Sequence, residues 1–205
     1  MELLKLKKLP KLILASASPR RAEILKAVGW EFEQCIANVD ETALPNEKPE
    51  DYVARLAKMK AEAVARNYDE AFILGADTTV VINGEIIGKP VDLDEARKML
   101  KMLSGRWHEV LTAVALIEKR NGSKNLREGL QKTKVKFDEM SEEEIEFLVR
   151  EGNPLDKAGA YAVQAQAALF IESIEGDYWN VVGLPINLVY KLVNRFNEHS
   201  VKKFR

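Results

Sequence analysis

Two arginines near the start of the sequence follow a turn of small residues, in the segment ASASPRR at positions 15–21. Ser18 and Pro19 are typical of the N-cap and the first position of a helix. Arg20 and Arg21 then belong to its first turn, where free N–H groups favour an anion and each arginine fork can bind two phosphate oxygens. The segment therefore indicates a phosphate-binding turn, and two solvent-exposed arginines are the alternative.

A carboxylate interrupts the apolar segment FILGADTTVVI at positions 72–82. An unpaired buried carboxylate is costly, so Asp77 is expected to be paired, bound to a metal or catalytic. It could act as a general base that activates water or as a metal ligand, and a structural aspartate bonded to the backbone is the alternative. Thr78 is predicted on the opposite face of the strand, unless Gly75 introduces a bulge.

Three further polar side chains are candidates for binding a ligand in a cleft. Lys60 has the helical phase of the apolar face of a predicted helix at 49–67, so it either snorkels to solvent or meets an anion. Lys89 lies on a loop before Pro90 and could hold a phosphate, or it is an ordinary surface lysine. Gln164 offers an acceptor and two donors, which can pair with the edge of a uracil or thymine ring.

These residues require a framework, and the alternation of strand-like and helix-like segments predicts an α/β fold. The predicted strands cover residues 12–15, 32–39, 72–82, 85–88, 109–117, 131–137, 158–163 and 168–174. Segment 120–125 is predicted as a polar connection. The predicted helices cover residues 18–29, 49–67, 94–103 and 141–150, and a last one begins at Pro185.

Composition narrows the class of protein. The 205 residues carry 31 basic and 32 acidic side chains, and this net charge of −1 argues against a nucleic-acid binder. The single cysteine, Cys35, predicts a reducing, cytoplasmic location. We expect neither a signal peptide nor a membrane span, because no apolar run approaches the ~20 residues that a bilayer requires. His108 and His199 are too far apart in sequence to indicate a metal pair, and His108 is expected to be structural.

Seven segments of this chain occur in one order: ASASPRR, VDET, LGADT, GKP, MLKMLSGRWHEVLTAV, DKAGAYAVQ and GDYWNVVGLP. In that order they resemble the Maf family of nucleoside triphosphate pyrophosphatases, from about Leu12 to Phe196. The resemblance implies one α/β domain over residues 1–205, with an elongated mixed β-sheet flanked by helices. Two lobes would surround an active-site cleft, in a fold similar to the inosine-triphosphate pyrophosphatases.

The resemblance also implies a reaction and a set of roles. Family members hydrolyse a nucleoside triphosphate between its α and β phosphates with a divalent cation, Mg²⁺ or Mn²⁺. Asp77 matches the proposed proton acceptor, and Glu41 matches an acidic position near the metal, which Asp77 could also bind. The positions matched to substrate binding are Ser16, Arg20, Arg21, Lys60 and Lys89, and those matched to base selectivity are Arg20, Thr78 and Gln164.

The segments SPRR, GADT and AGAY resemble the branch that prefers dTTP and UTP, which implies action on modified pyrimidine triphosphates as well. Such an enzyme limits the incorporation of non-standard nucleotides, and the family implies a link to arrest of cell division and a homodimer. The alternatives are a 7-methyl-GTP pyrophosphatase or a non-catalytic regulator of septum formation. Ala162 and Ala165 replace glycines that flank Gln164 in the family, and a positive φ at either would strain that loop by ~1 kcal/mol.

Overall fold

A computed structural model describes residues 11–202, without side chains for residue 195 and residues 197–202. The expectation about a signal peptide and the side chain of His199 therefore lie outside the described residues. Within residues 11–202, seven strands form one sheet: β1 (Leu12–Leu14), β2 (Glu33–Gln34), β3 (Ala71–Ile82), β4 (Glu85–Ile87), β5 (Trp107–Arg120), β6 (Ser123–Phe137) and β7 (Ile171–Glu175).

The helices of this part of the chain are α1 (Pro19–Ala27), α2 (Pro49–Ala65), α3 (Leu93–Leu103), α4 (Glu142–Glu151), α5 (Tyr178–Val182) and α6 (Ile186–Lys202). Short 3-10 turns cover Pro154–Asp156, Ala158–Ala160 and Gln166–Phe170. Most helices begin where the local sequence predicts. Pro19 is the first residue of α1, and α4 begins with a capping box between Ser141 and Glu144. No helix in the described residues is long and apolar enough to cross a bilayer.

The sheet is mixed, with the strand order β2-β1-β3-β5-β6-β7. β1 is parallel to β2 and β3, whereas β3, β5, β6 and β7 follow one another antiparallel. One apolar cluster lies between the sheet and α2, and a larger one covers the opposite face. A mixed sheet with helices on its faces confirms the predicted α/β class. One domain with two lobes remains a prediction.

β3 leaves a gap in the sheet on one of its two edges. β5 pairs with β3 from Ala71 to Val81 and occupies one edge throughout. β1 and β4 must then share the other edge, where β1 pairs with residues 72–74 and β4 with residues 80–82. Among the described strands none pairs with β3 on that edge between these two segments. The main-chain polar groups on that edge, from residue 75 to residue 79, are therefore left to partners other than a strand.

The side chains of β3 alternate between the two faces as the sequence predicts. Ile73 and Val81 belong to the cluster under α2, whereas Leu74 and Val80 belong to the cluster on the opposite face. The register with β5 is continuous, so Gly75 introduces no bulge. Asp77 and Thr78 therefore project to opposite faces.

Gly75 allows α2 to pack directly on β3. A Cβ atom on Gly75 would overlap the carbonyl oxygen of Ala57 and lie 2.7 Å from the amide nitrogen of Ala61. Both atoms are backbone of α2, so the helix itself would have to move. Overpacking of this kind costs roughly 1–3 kcal/mol and sometimes more.

We therefore expect Gly75→Ala to lower the melting temperature by about 2–12 °C, measured by thermal unfolding followed by circular dichroism. Gly129→Ala in β6 is the matched control, because the three atoms nearest to its added methyl all belong to the side chain of Leu188. A leucine side chain can rotate away, so that variant should lose less than half as much. Equal losses in the two variants would mean that the contact between α2 and β3 is not limiting.

Three predicted strands are not formed as expected. The predicted strand 32–39 is reduced to β2, because its partner β1 is short and pairs with only two of its residues. The predicted strand at 158–163 is wrong, because Gly159 and Ala160 have φ angles of 69° and 64°, which lie outside the strand region. The predicted strand 168–174 is preceded by a 3-10 turn, so only its second half forms β7.

Segment 120–125, predicted as a polar connection, belongs mostly to the hairpin of β5 and β6. Asn121 and Gly122 form a tight turn with φ angles of 50° and 74°, and pairing resumes at once between Arg120 and Ser123. Polar residues are compatible with this end of the hairpin, which is largely exposed. Helix α5 was not predicted, and the carboxylate of Asp177 caps it.

Candidate active site

The gap along β3 opens into a cleft of about 460 Å³. All the residues singled out as site candidates line it: Ser16, Arg20, Arg21, Glu41, Lys60, Asp77, Thr78, Lys89 and Gln164. A second cavity of about 510 Å³ lies at the C-terminal end of β3, beside Trp107 and Lys134, and none of the site candidates lines it. The cleft, rather than the second cavity, is therefore the candidate active site, because charged groups of both signs converge there.

The buried centre of the cleft is an ammonium group held between two carboxylates. Nζ of Lys60 lies 2.7 Å from Oδ1 of Asp77 and 2.6 Å from Oε1 of Glu41. Asp77 is only 7% exposed, and Lys60 only 8%. Lys60 therefore does not snorkel to solvent. It is directed inward from α2 and stabilises two negative charges at the sheet.

The environment shifts the pKa values of these two carboxyl groups, Asp77 and Glu41, in opposite directions. Burial raises the pKa of Asp77 above its ordinary value, and the charges of Lys60 and Arg21 offset only part of that effect. For Glu41 burial also opposes ionisation, but the hydrogen bond from Lys60 and the charges of Lys60 and Lys89 lower its pKa overall. Asp77 is thus the more basic carboxylate, which suits a group that accepts a proton.

Two side chains of α2 build this centre together. Lys60 lies among the apolar residues that pack α2 on the sheet, and the hydroxyl of Tyr52 donates to the main-chain carbonyl of Glu41 over 3.0 Å. Burial, followed by the charge of Asp77, raises the pKa of Tyr52 to about 12. Tyr52 therefore stays a neutral donor that fixes the segment carrying Glu41.

The buried side chain of Arg21 lies at the gap beside β3 and forms hydrogen bonds to several elements around it. Its Nε donates to the carbonyl of Gly183 (2.9 Å), and its Nη1 donates to the hydroxyl of Ser16 (3.0 Å) and the carbonyl of Ala76 (2.8 Å). Its Nη2 donates to the hydroxyl of Thr78 over 3.0 Å. Four of its five N–H groups are thereby used within the protein. Arg21 contributes charge to the cleft but little hydrogen bonding to a ligand.

Thr78 is also engaged within the protein. Its hydroxyl lies 2.9 Å from that of Thr112, which is directly opposite on β5, and 3.3 Å from the carbonyl of Gly183. Thr112 in turn donates to the carbonyl of Asn180 over 3.2 Å. Thr78 thus joins β3, β5 and α5 at the floor of the cleft.

The side chain of Arg20 extends from α1 across the cleft to Asp156 on the opposite wall. Its Nη1 donates to Oδ2 of Asp156 over 2.8 Å, and its Nη2 donates to the main-chain carbonyl of Asp156 over 3.1 Å. Oδ1 of the same carboxylate accepts from Nζ of Lys157, which is 8% exposed. This ionic contact joins the two walls, which come from distant parts of the sequence.

Lys89 and Gln164 are exposed at the rim of the cleft. The amide of Gly159 donates to the carbonyl of Gly88 over 3.0 Å, so the loops that carry them are joined. Neither Ala162 nor Ala165 has a positive φ, so the strain expected there is not found. The strained alanine is instead Ala160, with a φ of 64°.

The carboxylates of the cleft suit a divalent cation that is shared with substrate phosphates. The residues that the structure describes contain no group of three acidic, histidine or cysteine side chains suited to a metal. Mg²⁺ is commonly held by one or two carboxylates together with substrate phosphates. Asp77 and Glu41 meet that requirement, since both lie at the same ammonium group and line the cleft.

Sequence reasoning missed several residues of the cleft. The sequence alone assigns no role to Tyr52, Asp156 and Lys157, which line the cleft, or to Thr112, which contacts Thr78 from β5. Asp156 and Lys157 belong to the segment DKAGAYAVQ. A buried lysine beside an aspartate gives no local signal, because surface pairs look the same in a sequence. His108 is not among the residues that line this cleft. It is buried, its Nε2 lies 2.7 Å from the hydroxyl of Tyr161, and burial lowers its pKa to about 4.

Comparison with known proteins finds a matching family model and similar proteins. The family model described as "Maf-like protein" matches residues 11–196. A dTTP/UTP pyrophosphatase of Symbiobacterium thermophilum is 49% identical over 90% of this chain and 93% of its own length. One of Hahella chejuensis is 47% identical over 91% and 92%. The solved structure of the Staphylococcus aureus Ham1 protein has a TM-score of 0.40 and 15% identity, over 61% of this chain and 71% of its own.

Proposed function

This chain belongs to the Maf-like protein family, and on that premise we propose that it hydrolyses dTTP and UTP to the nucleoside monophosphate and pyrophosphate. The observation that carries the proposal is the buried Lys60 between Asp77 and Glu41, in a cleft that also holds Lys89 and Arg20. Pyrophosphate release develops negative charge on phosphate oxygens, and preorganised cations stabilise it.

Asp77 is the general base of the proposed reaction. Its carboxylate removes a proton from a water molecule as the oxygen of that water bonds to the α-phosphorus. The bond from the α-phosphorus to the bridging oxygen breaks, and pyrophosphate leaves with the bonding electrons. Lys60 hydrogen-bonds Asp77 and keeps it ionised and oriented. Lys89 and Arg20 supply positive charge toward the phosphate chain.

Asp77 and Glu41 are the residues that would hold a divalent cation, Mg²⁺ or Mn²⁺. When bound, such an ion neutralises phosphate charge and lowers the pKa of a bound water. The ammonium group of Lys60 lies within hydrogen-bond distance of both carboxylates and adds positive charge at the same place.

The pyrimidine preference depends on the rim of the cleft. The amide of Gln164 can donate to and accept from the edge of uracil or thymine, and Arg20 retains N–H groups for a carbonyl or phosphate oxygen. The hydroxyl of Thr78 is bonded inside the protein, so its influence on selectivity runs through Arg21 and the floor of the cleft.

The test is a substrate panel with the purified protein and Mg²⁺: UTP, dTTP, a modified uridine triphosphate, CTP and 7-methyl-GTP, with products separated by anion exchange. We expect pyrophosphate and monophosphate from the first three, at least tenfold faster than from the last two. In ¹⁸O-labelled water the label should enter the monophosphate. Orthophosphate release, label in pyrophosphate or faster hydrolysis of 7-methyl-GTP would contradict the proposal.

The same proposal has consequences for the role of the enzyme in the cell. Modified pyrimidine triphosphates are expected substrates, so hydrolysis would keep non-standard nucleotides out of nucleic acid and could be linked to arrest of cell division. A cytoplasmic location and a homodimer remain predictions. Gel filtration with light scattering would test the second.

A further inference from the structure

An ion pair bridges the mouth of the cleft between segments that are far apart in sequence. Arg20 in the first turn of α1 contacts Asp156, 136 residues further along the chain. Asp156 ends the 3-10 turn Pro154–Asp156, and its chain continues through Lys157 toward Gln164. This contact therefore joins the residue that reaches the substrate from one wall to the segment that forms the other wall.

The geometry of the pair leaves Arg20 available to a ligand. Asp156 accepts at the outer edge of the guanidinium, one hydrogen bond from Nη1 to the carboxylate and one from Nη2 to the main chain. In the described part of the chain nothing else accepts a hydrogen bond from Arg20, so three of its five N–H groups remain. Arg21 retains only one. Arg20 is the arginine that can bind the nucleotide.

An arginine side chain pays a substantial entropic cost when a ligand must order it. The two contacts from Asp156 fix the plane of the guanidinium of Arg20 before substrate arrives. Burial opposes ionisation of Asp156, but the hydrogen bonds from Lys157 and Arg20 outweigh it, so the pKa of this carboxyl is lowered. The carboxylate is therefore ionised at neutral pH, and Arg20 is held by a charged partner.

Lys157 does not depend on Asp156 alone for its position. Its Nζ also donates to the main-chain carbonyl of Asn153 over 2.5 Å, and its side chain is buried. Loss of the Asp156 charge would thus leave Lys157 anchored to the backbone. The effect of removing that charge should reach the substrate mainly through Arg20.

We propose that Asp156 is a positioning residue that holds Arg20 ready for the nucleotide. The inference rests on the proposed function of the cleft, and it assigns Asp156 no contact with the reacting atoms. If Asp156 acts in this way, substitution of Asp156 should weaken nucleotide binding only when Arg20 is present.

The test measures binding of α,β-methylene-UTP, which cannot be hydrolysed at the proposed position, by isothermal titration calorimetry. Four proteins are compared: wild type, Asp156→Asn, Arg20→Ala and the double variant. We expect Asp156→Asn to weaken binding about tenfold in the wild-type background. In the Arg20→Ala background it should change binding less than twofold, which is the signature of action through that arginine.

Asp94→Asn is the matched control. Asp94 also forms a charged pair with an arginine, Arg97 on α3, but it lies outside the cleft and its side chain is 81% exposed. We expect unchanged binding in that variant and melting temperatures within about 3 °C of wild type in both aspartate variants. Asp156→Glu should recover part of the lost binding, because it restores the charge.

Two results would overturn the inference. One is wild-type affinity in Asp156→Asn, and the other is an equal loss with and without Arg20, which would indicate an independent role. Since binding of the analogue is measured without turnover, failure of the proposed function would be seen separately, as absent pyrophosphate release by the wild-type protein.

Discussion

Asp77→Asn is expected to lower turnover of UTP by roughly two to four powers of ten while the nucleotide still binds. The amide has the shape of the carboxylate but cannot accept the proton of the attacking water. The cations that hold the phosphates remain in place, because Lys60 still has Glu41 as a partner 2.6 Å away. Single-turnover kinetics for the chemical step and calorimetry with the methylene analogue would measure the two effects separately.

The stability of this variant distinguishes loss of chemistry from loss of fold. Burial raises the pKa of Asp77 in the folded state. Its stabilising contribution is therefore present below its unfolded pKa and is lost as the pH rises through the folded pKa. At neutral pH an ionised Asp77 works against folding, so Asp77→Asn should melt at the same temperature or higher. Near-normal turnover in a stable variant would remove Asp77 from the mechanism.

Lys60→Met is expected to reduce kcat/KM at neutral pH by about two to three powers of ten. The substitution keeps the length and packing of the side chain but leaves the carboxylates of Asp77 and Glu41 facing each other without their shared cation. Loss of that charge raises the pKa of Asp77 further, because two neighbouring carboxylates resist ionisation together. The acidic limb of the rate profile should therefore move to higher pH.

The measurement is kcat/KM for UTP between pH 5 and about 9 at saturating Mg²⁺. Lys58→Met, on the same helix, is the matched control. Lys58 lies outside the cleft lining and is partly exposed, so its loss should change kcat/KM less than twofold. A Lys60→Met profile that overlays the wild-type profile would show that this ammonium does not tune the base.

Elements with strong local signals were predictable from neighbouring residues alone. Pro19 begins α1, the pair Ser141 and Glu144 caps α4, and the apolar run 72–82 forms β3. Each signal acts within one turn or along one strand, so it needs no information about the rest of the chain. The same reasoning predicted that Asp77 and Thr78 face opposite sides of β3.

Elements that depend on a distant partner were not predictable in the same way. β2 is short because β1 offers it only two residues, and β6 is long because β5 continues beside it. The segment 158–163 has strand-like residues, but its backbone turns at Gly159 and Ala160 with positive φ. Pairing and tertiary contacts override local propensity at such places.

The ordered segments of the sequence indicated the family, the reaction and the candidate residues of the cleft, because residue types and their order are properties of the chain itself. Only the folded structure decided which of those residues act on one another. Lys60 meets Asp77, Arg20 meets Asp156, and Arg21 is bonded within the protein rather than free for phosphate. Such pairs arise where β1 and β4 leave an edge of β3 open, and that gap depends on strand pairing between residues remote in sequence.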